Sequence, residues 1–157
     1  MKLGDYVEVA GSAGSVEEIG VFSTTVNTPD NVRVTIPNAA VYGETISNDS
    51  SHPNRRVDLV MGISYADDIG KAIEVMKSAL DRDSRVLANP APQIAVSELG
   101  DSSVNLVVWP WCANGDDWPL RFDLTRALKE ELEAAGCSIP FPQRDLHVVE
   151  LPIGAAG

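Results

Sequence analysis

The hydrophobic and polar positions along the chain change their rhythm near residue 50, and the two halves predict different architectures. In the run Tyr6-Val7-Glu8-Val9 the two valines share a side and Glu8 takes the other, the two-residue period of a half-buried strand. Gly11-Ser12-Ala13-Gly14 reads as the turn that follows. A strand is then predicted from Ser15 to Val26, with the apolar parity slipping between Val16 and Ile19, so that a bulge or sharp bend is expected near Gly20. Asn27-Thr28-Pro29-Asp30-Asn31 has turn composition, and beyond it Val32, Val34 and Ile36 alternate with Arg33 and Thr35. These short, bent runs predict a small β barrel of about five strands.

Asn48-Asp49-Ser50-Ser51-His52-Pro53-Asn54 is polar and carries a proline, the composition of a linker. From Arg55 onward helices enter. Val57, Leu59, Met61 and Ile63 alternate as a strand, and Asp67-Asp68 offers an N-cap to a helix with Ile69, Ile73, Met76 and Leu80 along one stripe. Ile94 to Val96 and Val104 to Val108 read as two further strands. A second helix opens near Pro119, lines up Leu124, Leu128 and Leu132, and ends with Gly136 in the C′ position. Apolar runs at Ser138 to Phe141 and at Leu146 to Leu151 close the chain. The order β-α-β-β-α-β is that of a split βαβ, or ferredoxin-like, domain, so the fold class is α+β.

Charge narrows the function. The net charge is −11, and among twelve basic residues Arg55-Arg56 is the only adjacent pair. A phosphate-binding surface needs clustered Lys and Arg, so nucleic acid is excluded as a partner. No tract approaches the ~20 apolar residues of a spanning helix, and no basic segment followed by an apolar one marks a signal peptide. The chain therefore reads as soluble, with an apolar content of 44% that suits a modest core.

Candidate chemistry adds little. Cys112 and Cys137 lack the spacing of a zinc or redox motif and read as buried thiols of a reducing compartment. His52 and His147 stand in the linker and a terminal strand, without a nucleophile or paired carboxylate at a telling spacing. Gly11 to Gly14 is not followed by Lys-Ser/Thr, so it is no phosphate cradle. All three tryptophans, Trp109, Trp111 and Trp118, crowd one turn region, the mark of a ligand site, a core lid or a subunit contact, of which the last two are favoured. No enzyme, no metal and no cofactor is expected.

Particular residues go further than pattern. Gly4-Asp5-Tyr6-Val7-Glu8-Val9, Gly14-Ser15-Val16-Glu17-Glu18-Ile19, Phe22-Ser23-Thr24-Thr25, Thr28-Pro29-Asp30 and Val34-Thr35-Ile36-Pro37-Asn38 follow one another in order. Asn48, Arg55-Arg56, Gly62-Ile63-Ser64-Tyr65, Leu99-Gly100, Ser102-Ser103-Val104, Ala135-Gly136 and Ile139-Pro140-Phe141-Pro142-Gln143 continue the series. Together they resemble the cytoplasmic region of the mechanosensitive channels of small conductance, the MscS family, over nearly the whole chain.

That resemblance implies a heptameric cage on the cytoplasmic side of the cell membrane, below a pore whose helices would precede Gly4. It implies an Sm-like β domain over residues 1–48, a linker over 49–54, a ferredoxin-like domain over 55–143, and a C-terminal strand and tail over 144–157. Ions and small solutes would enter through side portals between copies, near Arg55, Arg56 and Asp58; the other reading of Asp58 is a surface charge that merely offsets Arg56. Pro37, which cannot donate to a ladder, ends its strand, and Asn38 is expected to cap a short turn below the pore. Thr45 to Asn48 would resume as the last strand of the β domain. Ala39-Ala40 stands where a glycine and a lysine often follow in such channels.

For the tail, pattern and resemblance diverge. Pattern makes Leu146, His147, Val148 and Val149 a fourth strand of the chain's own sheet. Resemblance gives Ser138 to Phe141 to that sheet and sends Leu146, Val148 and Val149 into a barrel shared by all subunits, which the breaks at Pro140 and Pro142 favour. The rival function is a stand-alone regulatory module that binds a small molecule through its ferredoxin-like domain.

Overall fold

The computed structural model describes residues 1–148, and Val149 and Leu151 of the expected terminal strand lie outside them. Two units emerge, one made of residues 1–55 with 112–117, the other of 56–111 with the chain from 118 onward.

In the first unit, β1 (Tyr6–Val9), β2 (Ser12–Ile19), β3 (Ser23–Asn27), β4 (Arg33–Pro37) and β5 (Ser47–Asn48) form one antiparallel sheet in the order β4-β3-β2-β1-β5. Val7, Val9, Val16 and Val26 turn inward with Ile36 and Val41 to make the core. The first turn is tighter than expected. Val9 pairs with Ser12, so Ala10 and Gly11 alone make the hairpin, both at positive φ, as a type I′ connection requires. Residues 12–14, expected in the turn, belong to β2.

The predicted strand from Ser15 to Val26 is two strands. The bulge falls at Glu17, between the pairs Val16–Val26 and Glu18–Thr25, and the chain reverses over Gly20 to Phe22. At the other end of the β2–β3 pair Gly14 allows a close approach of the strands: a Cβ on it would collide with the Asn27 carbonyl oxygen. After β4 the chain makes a short helix, α1 (Asn38–Gly43), where a turn was expected.

In the second unit, β7 (Leu59–Ile63), β8 (Gln93–Leu99) and β9 (Val104–Trp109) form an antiparallel sheet in the order β7-β9-β8. Leu59, Met61, Ile63, Val104, Leu106 and Val108 are buried on one of its faces. Helix α2 (Ile69–Arg82) buries Ala72, Met76, Ala79 and Leu80, a stripe rotated from the expected one, because Ile69 at the first position stays 36% exposed. Helix α3 (Asp117–Ala134) buries Leu120, Leu124, Leu128 and Leu132, the i,i+4 row of a core-facing helix. Its end is a Schellman motif. The Cys137 N–H donates to the Leu132 carbonyl and the Gly136 N–H to that of Glu133, with Gly136 at φ +84°.

Two short strands complete the described elements: β6 (Asn54–Arg56) pairs with β10 (Trp111–Ala113). In the first unit Asn114 secures the linker, its Nδ2 donating to the carbonyls of Asp49 and His52, both at 3.0 Å. This is why residues 112–117 join the first unit despite their distance in sequence.

Candidate functional site

The expected portal residues divide between partners. Arg55 belongs to the first unit, where its guanidinium pairs with Asp49 and lies 3.9 Å from the Asp117 carboxylate. The Asp49 hydrogen bond holds its pKa above the ordinary arginine value. Arg56 and Asp58 belong to the second unit and are brought together. Arg56 Nε and Nη2 donate to the two carboxylate oxygens of Asp58 at 2.6 and 3.0 Å. The fork geometry suits a planar guanidinium facing a carboxylate. Both side chains remain in contact with solvent, 41% and 51% exposed.

Trp109, one of the three clustered tryptophans, holds the other side of Arg56: the guanidinium carbon lies 4.4 Å from the ring centroid. The remaining two have other surroundings. Trp111 sits in β10, and Trp118, 61% exposed on α3, lies 5.8 Å from Phe122 between ring centroids, with Arg121 over its ring. Sequence reasoning read the three as one group and missed the link from Trp109 to Arg56. Strand parity held a clue, since Arg56, Asp58 and the cross-strand Trp109 all take the face opposite the buried residues.

Around Pro37 and Asn38 the structure corrects the expectation. Asn38 makes no cap: the N-cap position of α1 is Pro37, which has no side-chain donor or acceptor for the role. The Asn38 amide is committed elsewhere. Its Nδ2 donates to the carbonyls of Gly20 and Val21 at 2.9 and 3.0 Å, and its Oδ1 accepts from Thr24 Oγ1 at 2.9 Å. The backbone N–H of Asn38 donates to Phe22. One residue thus ties down the β2–β3 turn, whose tip residues Val21 and Phe22 are 86% and 87% exposed.

Asp67, expected as half of a helix cap, has another task. Asp68 alone caps α2, accepting from the Lys71 N–H at 3.0 Å. Asp67 Oδ2 accepts from the backbone N–H groups of Ser64 at 3.1 Å and Ser138 at 2.7 Å, while Ser64 N–H donates to the Ser138 carbonyl. Ser138 is therefore held beside the end of β7. Beyond it, Phe141, Leu146 and Val148 are 83%, 82% and 87% exposed, and residues 138–148 form no strand within the single chain.

Among the described residues no three of His, Cys, Asp and Glu come together to hold a metal. Cys112 and Cys137 are buried, and burial, with Asp67 nearby, pushes the Cys137 thiol above its ordinary value, so it stays protonated at neutral pH.

Comparison with known proteins decides the family. The profile described as the mechanosensitive ion channel beta-domain matches residues 1–51, and that described as mechanosensitive ion channel MscS, C-terminal, matches residues 57–139. The chain belongs to the MscS family. An MscS family protein of Synechocystis is 45% identical over 149 residues, covering 95% of this chain and 50% of that protein. The small-conductance mechanosensitive channel of Edwardsiella ictaluri is 36% identical over 149 residues, with 95% and 52% covered. The closed-state crystal structure of Helicobacter pylori MscS matches with a TM-score of 0.90 at 28% identity, over 96% of this chain and 60% of that one. Arabidopsis thaliana MSL1, at a TM-score of 0.76 and 19% identity over 90% of this chain and 51% of that one, shares the fold. The chain thus spans about half the length of the curated relatives it matches. It carries the β and C-terminal domains of an MscS-family channel, a class of channels and not of enzymes. No helix among the described residues is long and apolar enough to cross a membrane.

Proposed function

We propose that this chain forms the vestibule of a mechanosensitive channel on the cytoplasmic side of the membrane, a ring of seven copies that ions and small solutes enter through side portals. The observation that carries the reading is the pair of family matches, which together run from residue 1 to residue 139 in the order β domain, then C-terminal domain. The portal lies at Arg56 and Asp58, with Arg55 bracing the linker beside it in sequence. Pro37 and Asn38, at the junction of β4 and α1, lie below the pore, and the exposed apolar tip at Val21 and Phe22, which Asn38 holds, suits a surface that another element covers.

Leu146 and Val148, with Val149, contribute a strand to a barrel shared by the copies. The alternation of Leu146 and Val148 and the exposure of these two in the single chain support this role, since such a strand finds backbone partners only in its neighbours. At −11 for each chain the ring is strongly acidic, and a vestibule lined by one sign of charge concentrates counter-ions.

The test is the reversal potential of the channel carrying this chain, measured in a salt gradient with Asp58→Lys. The substitution places a cation where a neutralised carboxylate stood and should move the preference toward anions. An unchanged ratio of anion to cation permeability removes Asp58 from the permeation path.

A further inference from the structure

The face of the β7-β9-β8 sheet turned away from the buried side carries an unusual group of three. Val57, Leu59, Met61 and Ile63 are buried, so the residues alternating with them, Arg56, Asp58 and Val60, take the opposite face. The ladder pairs Leu59 with Val108, and two residues further the Val57 N–H donates to the Pro110 carbonyl at 2.9 Å. Asp58 therefore stands across from Trp109. Arg56 fits between them, its in-plane donors on the Asp58 carboxylate and its carbon 4.4 Å from the Trp109 centroid.

We propose that Trp109 is the positioning residue for ion discrimination at this site: its ring holds Arg56 on Asp58, so that passing ions meet a closed, neutral pair in place of an open carboxylate. The proposal rests on the portal reading and adds the residue that sets the charge the portal presents.

The physical argument turns on exposure. With Arg56 and Asp58 41% and 51% exposed, their attraction is screened by water and salt, and holding two flexible side chains in one geometry costs entropy. Such a pair, left alone, opens readily. The ring changes the balance, because the face of an indole attracts a guanidinium as its in-plane N–H groups bind the carboxylate, and the two contacts do not compete. Arg56 thereby stays on Asp58 for a larger share of the time than either contact alone would secure.

Two measurements test this. In the chain itself, the exchange of the Arg56 Nε–H with solvent, followed by NMR, should quicken several-fold in Trp109→Leu, with Trp109→Phe between it and the unsubstituted chain. An exchange rate unchanged in both variants overturns the proposal. In the channel carrying this chain, Arg56→Gln should shift the reversal potential toward cations and Asp58→Asn toward anions. Trp109→Leu should shift it in the sense of Arg56→Gln by a smaller amount, and adding it to Arg56→Gln should produce no further shift. If Arg56→Gln and Asp58→Asn act as stated and both Trp109 variants leave selectivity unmoved, the proposal is overturned and the portal reading stands. If neither Arg56→Gln nor Asp58→Asn moves it, the portal reading falls and the proposal falls with it.

Discussion

Single residues decide more of this chain than their types announce. Gly14 is a case of pure space: any side chain there collides with the backbone of Asn27. Gly14→Ala should lower stability by about 1–3 kcal/mol, the usual cost of overpacking, and a thermal melt would read this as a lower midpoint with the fold retained. Asp5 is a case of charge. It is only 5% exposed, and it accepts from Asn48 Nδ2 at 2.8 Å and the Lys2 N–H at 2.9 Å. The Asn48 hydrogen bond, opposed by burial, holds its carboxyl below the ordinary value of 3.8. Because the folded pKa lies below the unfolded one, the stabilisation is complete above the ordinary value and drains away as pH falls through the depressed one. The urea midpoint should drop over that acidic range, and Asn48→Ala should flatten the drop. An equally steep fall in both proteins would detach Asp5 from the acid response.

Elements built on a clear period were legible in the sequence, and those held by distant partners were not. The leucine row of α3 and the alternation of β7 and β9 follow from local spacing, and each sits within a few residues of its expected place. The bend near Gly20 was legible, but not that it parts two strands, because Val21 and Phe22 are apolar and continue the strand-like run; nor was its tie to Asn38, 17 and 18 residues away from the carbonyls it binds. Helix α1 escaped because six residues are too few to display a helical period. The link between Arg56 and Trp109 needs the register of two strands, which no single segment contains. The tail belongs to this scale as well. Deleting residues 144–157 should leave a helical circular-dichroism signal and a cooperative melt while weakening the ring. Loss of the cooperative melt would return Leu146 and Val148 to the chain's own sheet.

At the scale of the whole molecule, the sheet edges left open in the first unit make assembly the natural expectation. Strands β4 and β5 are the outer members of their sheet, and an edge without a partner is a template for pairing. Sedimentation equilibrium should find a ring of seven, and, with −11 on each chain, any preference for cations should weaken as ionic strength rises. A chain that stays monomeric at every concentration would require the pore helices for assembly. If the tail joins a shared barrel, tension on the ring reaches each copy through residues 139–148. It then arrives at Ser138, where a single carboxylate oxygen of Asp67 grips two amides, one on the departing chain and one at the end of β7. In that arrangement Asp67 would serve as a strain relief, like the clamp where a cable enters its housing: a pull on the tail would load this knot before it could peel a strand from the sheet.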